Sequence, residues 1–359
     1  MSYGSSNTLK IRFTKLLSLI LLVPMLAVAD RDGSTRPDLS GTYDIATLTP
    51  LQRPASYGDR LNLTDEEAKE IAEYWQDNLS KDARPSDPER DAPPKGGTDI
   101  YAPEFTFAAG GVGGYNSFFV DIGDSNFKIS GKWRTSIITD PVNGQLPQMS
   151  PLGQKRMAQL FELRHENTGT AWWVDMDKGP YDDPELRPLG ERCLLGFGST
   201  SGPPMLPVMY NNLKKIVQTD DYVMILVEMN HDVRVIRMNS EHSPDEVRKW
   251  MGDSIGHWEG DTLIVDTTNF REKSGFMMAS KGLHVVERFS RIDEATLLYQ
   301  FTVDDPTWEK PWSGEYPWPS SKASVYEYAC HEGNYALGGI LRGARLLEKE
   351  AIVGITPGN

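Results

Sequence analysis

Cysteine is almost absent from this 359-residue chain, which holds only Cys193 and Cys330. Two residues so far apart have no zinc-ligand spacing, and neither H-x-H nor H-E-x-x-H occurs, so no contiguous motif assigns a metal. A metal held by distant strands stays open. There is also no P-loop and no dinucleotide fingerprint after a parallel strand, and no cofactor is expected. Basic residues are scarce: 37 Lys and Arg stand against 51 Asp and Glu, for a net charge of −14. Such a surface repels nucleic acid and anionic lipid, which excludes both as expected partners. Beyond the first thirty residues no apolar run approaches the ~20 residues of a membrane span.

The first thirty residues are the exception. Lys10, Arg12 and Lys15 precede an apolar run from Leu16 to Val28, and Ala27-Val28-Ala29 offers an A-x-A cleavage site. This is the plan of a secretory leader, so residues 1–29 are expected to be removed and the protein exported, to a periplasm or the medium. A retained N-terminal anchor is the alternative. Loss of three basic residues takes the charge from −14 to near −17. In an oxidising compartment Cys193 and Cys330 are expected to form a disulfide.

Residues 30–110 read as an N-terminal arm and helix. The T-D-E-E box at Thr64, with Glu67 three residues on, starts a helix carrying Ala68, Ile71, Ala72, Trp75 and Leu79 at helical spacing. A proline-rich linker follows from Asp82, and "AAGGVGGYNSF" is a flexible turn. Residues 111–359 read as a β-barrel-like ligand-binding domain. Ser150-Pro151 opens a helix to about Arg164. The irregular segment from Tyr181 to Pro207 is long enough to be expected to lie over something. "IVQTDDYVMILVEMNHDVRVIRM" reads as strands and "HSPDEVRKWM" as a short helix capped by Ser243. "TLIVDTTNF", "HVVERFSRI", "TLLYQFTVDD" and "SVYEYACHE" then read as successive strands. The fold class expected is mainly β: an antiparallel meander forming a lipocalin-like barrel or sandwich, with a few peripheral helices. The arm is expected to wrap it, and Asp304 to Pro319 to form a lid over its open end.

The string Gly252-Asp253-Ser254-Ile255-Gly256 matches G-x-S-x-G, the signature of a serine hydrolase. A nucleophile elbow needs strand, sharp turn and helix in that order. Here a helix precedes Ser254 and a hairpin follows, so the string reads as a connector and Ser254 as a third-choice nucleophile.

The phrases "LSGTYDIATLTPLQRP", "RTSIITDPVNGQLPQMSPLGQKR", "MGDSIGHWEGDTLIVDTTNF", "ERFSRIDEATLLYQFTVDDP" and "YEYACHEGNYAL" resemble a large family of exported bacterial proteins of unknown function. The resemblance covers nearly the whole mature chain. It implies export and one shared architecture, and it carries no catalytic role to any residue.

Strand alternation nominates the interior. Read as one strand, Tyr222–Ile236 turns Val223, Ile225, Val227, Met229, His231, Val233 and Val235 to one face. Leu263, Val265, Thr267 and Asn269 follow, then Leu283, Val285, Glu287 and Phe289, then Leu297, Tyr299, Phe301 and Val303. On the last strand Tyr326, Tyr328, Cys330 and Glu332 point the same way. Within this apolar lumen His231, Glu287 and Glu332 are candidate acid–base groups. One β-bulge would bring in Glu228 or His331 instead, so both are retained. Asn269, Thr267, Tyr299, Tyr328, Tyr210 and Trp312 are candidate substrate contacts. Trp172, Trp173, Trp308, Tyr316 and Trp318 offer a stacking platform. The plainer alternative makes His231 a satisfied core histidine and pairs Glu287 with Arg234 or Arg288.

Two functions follow. One is a cofactor-independent lyase or isomerase acting on a small hydrophobic, aromatic or terpenoid compound, with His231 moving the proton. The other is a periplasmic lipocalin-type binding protein without catalysis. Oligomeric state is left open.

Overall fold

The computed structural model describes residues 28–29, 35–82, 89, 119–162, 165, 169–272 and 276–354. Almost all of the leader, most of the proline-rich linker and the glycine-rich stretch at 108–118 lie outside the described residues.

Ten strands make one sheet: β1 (Gly41–Asp44), β2 (Ile138–Asp140), β3 (Leu213–Gln218), β4 (Tyr222–Val227), β5 (Val233–Met238), β6 (Asp253–Glu259), β7 (Thr262–Thr268), β8 (His284–Asp293), β9 (Thr296–Asp304) and β10 (Trp312–Pro319). Their order across the sheet is β1-β3-β4-β5-β6-β7-β8-β9-β10-β2. The fold is mainly β, a curled half-barrel. Its first strand comes back to the far side of the sheet at a single bridge, between Tyr43 of β1 and Ser320, just past β10. The arm therefore supplies a strand, β1, to the sheet.

One face of each strand builds the core. The expected inward sets on β7, β8 and β9 are all buried, from Leu263 and Val265 through Val285 and Phe289 to Tyr299 and Phe301. Aromatic rings fill the concave side: Tyr299 lies 5.0 Å from Phe289 and 5.0 Å from Trp318, centroid to centroid. Phe301 lies over Gly314, where a Cβ would come within 2.6 Å of its ring. No larger residue fits at Gly314 without moving that ring.

Several expectations are corrected. Tyr222–Ile236 is not one strand but a hairpin, turning at Met229–His231 with Asn230 at φ 60° and His231 at φ 44°. The turn reverses the phase, so Arg234 and Ile236 face the core while Val233 and Val235 are exposed. The meander also breaks once, since β5 and β6 are parallel, with Ser254 beside Ile236. The expected helix at 243–250 is a turn. Its backbone is drawn into a bridge at Lys249 and Phe270, where Lys249 N donates to Asn269 O and Arg271 N to Lys249 O. Those bonds replace the i→i−4 ladder a helix needs.

The supposed lid is β10, paired with β9 along its length. Trp308, Trp312, Tyr316 and Trp318 are accordingly core residues, not a platform. "SVYEYACHE" forms no strand, because β10 already meets β2 and β1 on its far side. It runs instead into a short helix, α3 (Cys330–Gly333), and then into α4 (Tyr335–Val353).

Two earlier helices stand as the caps indicated. In α1 (Asp65–Asp82) Thr64 N donates to Glu67 Oε2 at 2.8 Å, and Glu67 N donates to Thr64 Oγ1 at 3.1 Å. The second, α2, spans Pro151–Glu162. The disulfide Cys193–Cys330 is present, with Cα atoms 5.7 Å apart. It ties the irregular middle segment to α3 rather than to a strand. Alongside it Trp173 Nε1 donates to Glu348 of α4 at 2.6 Å. Among the described residues no helix is long and apolar enough to cross a membrane.

Candidate functional site

A buried polar network joins β5, β6, β7, β8 and β9. Arg234 from β5 donates to both oxygens of Glu287 from β8, at 2.9 and 2.7 Å. Tyr299 Oη donates to Glu287 Oε1 at 2.7 Å and accepts from Met205 N at 3.1 Å. Arg234 Nη2 also reaches Ser254 Oγ at 3.3 Å and Thr267 Oγ1 at 3.5 Å, and those two hydroxyls share a bond of 2.9 Å. Arg234 is 2% exposed and Glu287 0%. Burial opposes the guanidinium charge, but the carboxylate beside it more than compensates and raises the Arg234 pKa. Burial, and then the Glu287 charge, push the Tyr299 hydroxyl well above its usual value. The ion pair is bidentate and its carboxylate is further bonded by Tyr299, although Arg234 Nε is buried without a hydrogen-bond partner.

Above the network lies the segment 196–209. Met205 is fully buried, and its carbonyl accepts from Tyr316 Oη at 2.6 Å. The same segment, at Gly198, Ser199 and Leu206–Met209, borders a cleft of about 460 Å³. The arm (Thr47–Leu51), Trp75 of α1, Ile122, Ile137 and Met277 complete its walls. None of these lining residues is ionisable, and the surface is mostly apolar. That composition suits a small hydrophobic ligand.

The nominated residues divide between several places. Glu287, Thr267 and Tyr299 do meet, in the core network. His231 does not join them: it is exposed on the hairpin turn, its Nδ1 3.1 Å from the Tyr328 carbonyl oxygen. His331 and Glu332 are exposed on α3. Glu228 is buried at the end of β4, its N–H donating to Leu213 O at 3.1 Å. Asn269 holds the 243–244 backbone, donating to Ser243 O at 2.8 Å and Pro244 O at 3.2 Å. Tyr210 and Tyr328 are half-buried against the core, and Trp312 is entirely within it. The hairpin turn accounts for the misplaced histidine, since it inverts every position after Glu228.

Ser254 is no elbow. It lies inside β6, 5% exposed, with its hydroxyl held by Thr267 and Arg234.

Two ionisable features escaped the sequence reading. On β3 Lys214 and Ile216 are buried while Lys215 and Val217 are exposed, so Lys214 points inward. The two-residue alternation of "LKKIVQ" carried that signal. On the outer side Asp266 receives His242 Nε2 and His284 Nε2, each at 2.9 Å. The bond to Asp266 raises the His284 pKa. No family model, curated protein or solved structure matches the chain.

Proposed function

We propose that this chain is an exported binding protein that holds a small hydrophobic molecule, without changing it, in the cleft between the arm, α1 and the segment 196–209. The observation that carries the reading is the cleft of about 460 Å³, whose lining offers apolar contact and no acid or base. The leader-like N-terminus and the disulfide between Cys193 and Cys330 favour an oxidising compartment such as a periplasm. The interior is packed with aromatic rings, which favours the cleft over the interior as the ligand's place.

The test is titration with N-phenyl-1-naphthylamine, a neutral apolar dye that brightens when it leaves water. Wild type should bind it saturably, and Leu48→Trp, which fills the cleft, should not. Val142→Trp, an exposed position outside the cleft, should bind like wild type. Equal binding by all three proteins would refute the cleft as the site.

A second reading, the cofactor-independent acid–base enzyme, draws support from buried ionisable groups rather than from His231. Lys214, Glu228 and Asp232 lie near one another, and charge on either acid acts on the amine. Product formation from a hydrophobic substrate that Lys214→Met cannot support would favour that reading.

A further inference from the structure

Two methionines, Met209 and Met277, stand in the wall of the cleft together with Trp75 of α1. Both are half-buried, and the cleft gives a small solute access to them. The backbone behind each is fixed. Met277 and Met278 both adopt positive φ, at 38° and 63°, a conformation that residues other than glycine hold only where their surroundings impose it. Here the flanks impose it. Phe276 is buried, its ring 6.2 Å from those of Trp308 and Trp312. Arg156 Nη1 of α2 donates to the carbonyls of Met278 and Ala279, each at 3.2 Å, and Thr307 Oγ1 donates to Met278 O at 3.3 Å. On the other wall Asp121 N donates to the Met209 carbonyl at 2.7 Å.

A thioether is apolar and polarizable, which suits contact with a hydrophobic ligand. It is also the group that a peroxide converts to a polar sulfoxide. The cleft has little to satisfy that new oxygen. Thr47 Oγ1 already donates to Ser125 O at 3.2 Å, and Ser199 Oγ to the carbonyls of Gly202 and Pro204, so neither hydroxyl offers its proton. A sulfoxide in this wall holds water instead. An apolar ligand would have to displace that water without replacing its hydrogen bond.

We propose that Met209 and Met277 are oxidation sites that empty the cleft: the ligand is held while both are thioethers and released when hydrogen peroxide makes them sulfoxides. A sulfur lone pair attacks one peroxide oxygen, the S–O bond forms and the O–O bond breaks. The departing hydroxide takes the proton from the transferred oxygen and leaves as water. Each sulfur is oxidised by two electrons, which reduce one peroxide. The proposal rests on the cleft reading for the ligand that is released.

The test treats the full chain with hydrogen peroxide, removes the peroxide, and reads peptide masses and N-phenyl-1-naphthylamine affinity on the same sample. Met209 and Met277 should each gain an oxygen, as should Met176 and Met224, which are exposed outside the cleft. Met205, fully buried, should stay unmodified, which reports an intact fold. Treated wild type should bind the dye at least about tenfold more weakly than untreated wild type. Met209→Leu combined with Met277→Leu should show no difference between treated and untreated protein. Met176→Leu combined with Met224→Leu should lose affinity on treatment as wild type does. Three results would each overturn the proposal: no oxygen at Met209 or Met277, oxygen at both with unchanged affinity, or a double cleft variant that still loses affinity. If untreated wild type binds the dye in those cases, the cleft reading stands and only the oxidation proposal fails. If untreated wild type does not bind it, the cleft reading fails and takes the proposal with it.

Discussion

Replacing Lys214 by Met should make the protein more stable, and by an amount that depends on pH. The native side chain is fully buried and unpaired, with its pKa lowered to about 7. In the unfolded chain it returns to the ordinary value near 10.4. Between these values the unfolded state binds the proton and the native state does not, so stability rises with pH across that window. Below pH 7 the penalty is complete, and a displacement of this size corresponds to roughly 5 kcal/mol. From pH 6 to pH 9 the wild type should recover roughly 2–3 kcal/mol of it. Met has similar length and no proton to lose. Urea denaturation followed by tryptophan fluorescence at pH 6 and pH 9 would measure both proteins. Lys214→Met should be the more stable at pH 6, with the gap narrowing by roughly 2–3 kcal/mol at pH 9. A gap that does not change with pH, or a Met variant less stable at pH 6, would refute the reasoning.

Breaking the buried pair should do the opposite: Glu287→Gln leaves Arg234 uncompensated and should lower stability by about 3–5 kcal/mol in the same assay. Arg234→Met combined with Glu287→Leu should recover most of that loss, and a double variant as unstable as the single one would contradict the account. Reducing Cys193–Cys330 should cost roughly 4–5 kcal/mol in the chain-entropy picture, read as a lower urea midpoint in dithiothreitol. On the outer face Asp266 raises the pKa of His284. The stabilisation from that contact is complete below the unfolded value near 6.5 and fades as pH rises through the native pKa. Both groups are about a third or more exposed, so Asp266→Asn should cost only a few tenths of a kcal/mol. NMR titration of His284 should show its pKa falling in that variant, and an unmoved titration would show that the contact is not made in solution.

Where one strand face is buried and the other wet, the sequence announced the structure. Leu263 to Thr267, Val285 to Phe289 and Leu297 to Val303 face inward as their alternation indicates. The capping box at Thr64 and the pairing of the two cysteines were equally legible. The hairpin at Met229–His231 was not, because valines flank it on both sides and preserve the alternation through the turn. A reading of fifteen residues as one strand was a warning, since strands usually run five or six, and Asn230 tolerates the positive φ found there. Proline concealed β10. Pro317 pairs with Leu298 on one side, and on the other β2 covers only Ser313 and Gly314, so the missing N–H breaks no ladder there. Three glycines inside α4, at 338, 339 and 343, lower its helix propensity. Asn334, which accepts from Leu337 N, and Gly354, in the left-handed conformation, cap it all the same. The cleft could not be read at all, because its walls come from segments far apart in sequence.

Native mass spectrometry of the exported protein, taken directly from the cells that make it, tests the binding reading most directly. Wild type should carry an apolar small molecule that is extracted unchanged, and Leu48→Trp should come out empty. A wild-type protein that is itself empty, or a filled-cleft variant that keeps the same molecule, would contradict it.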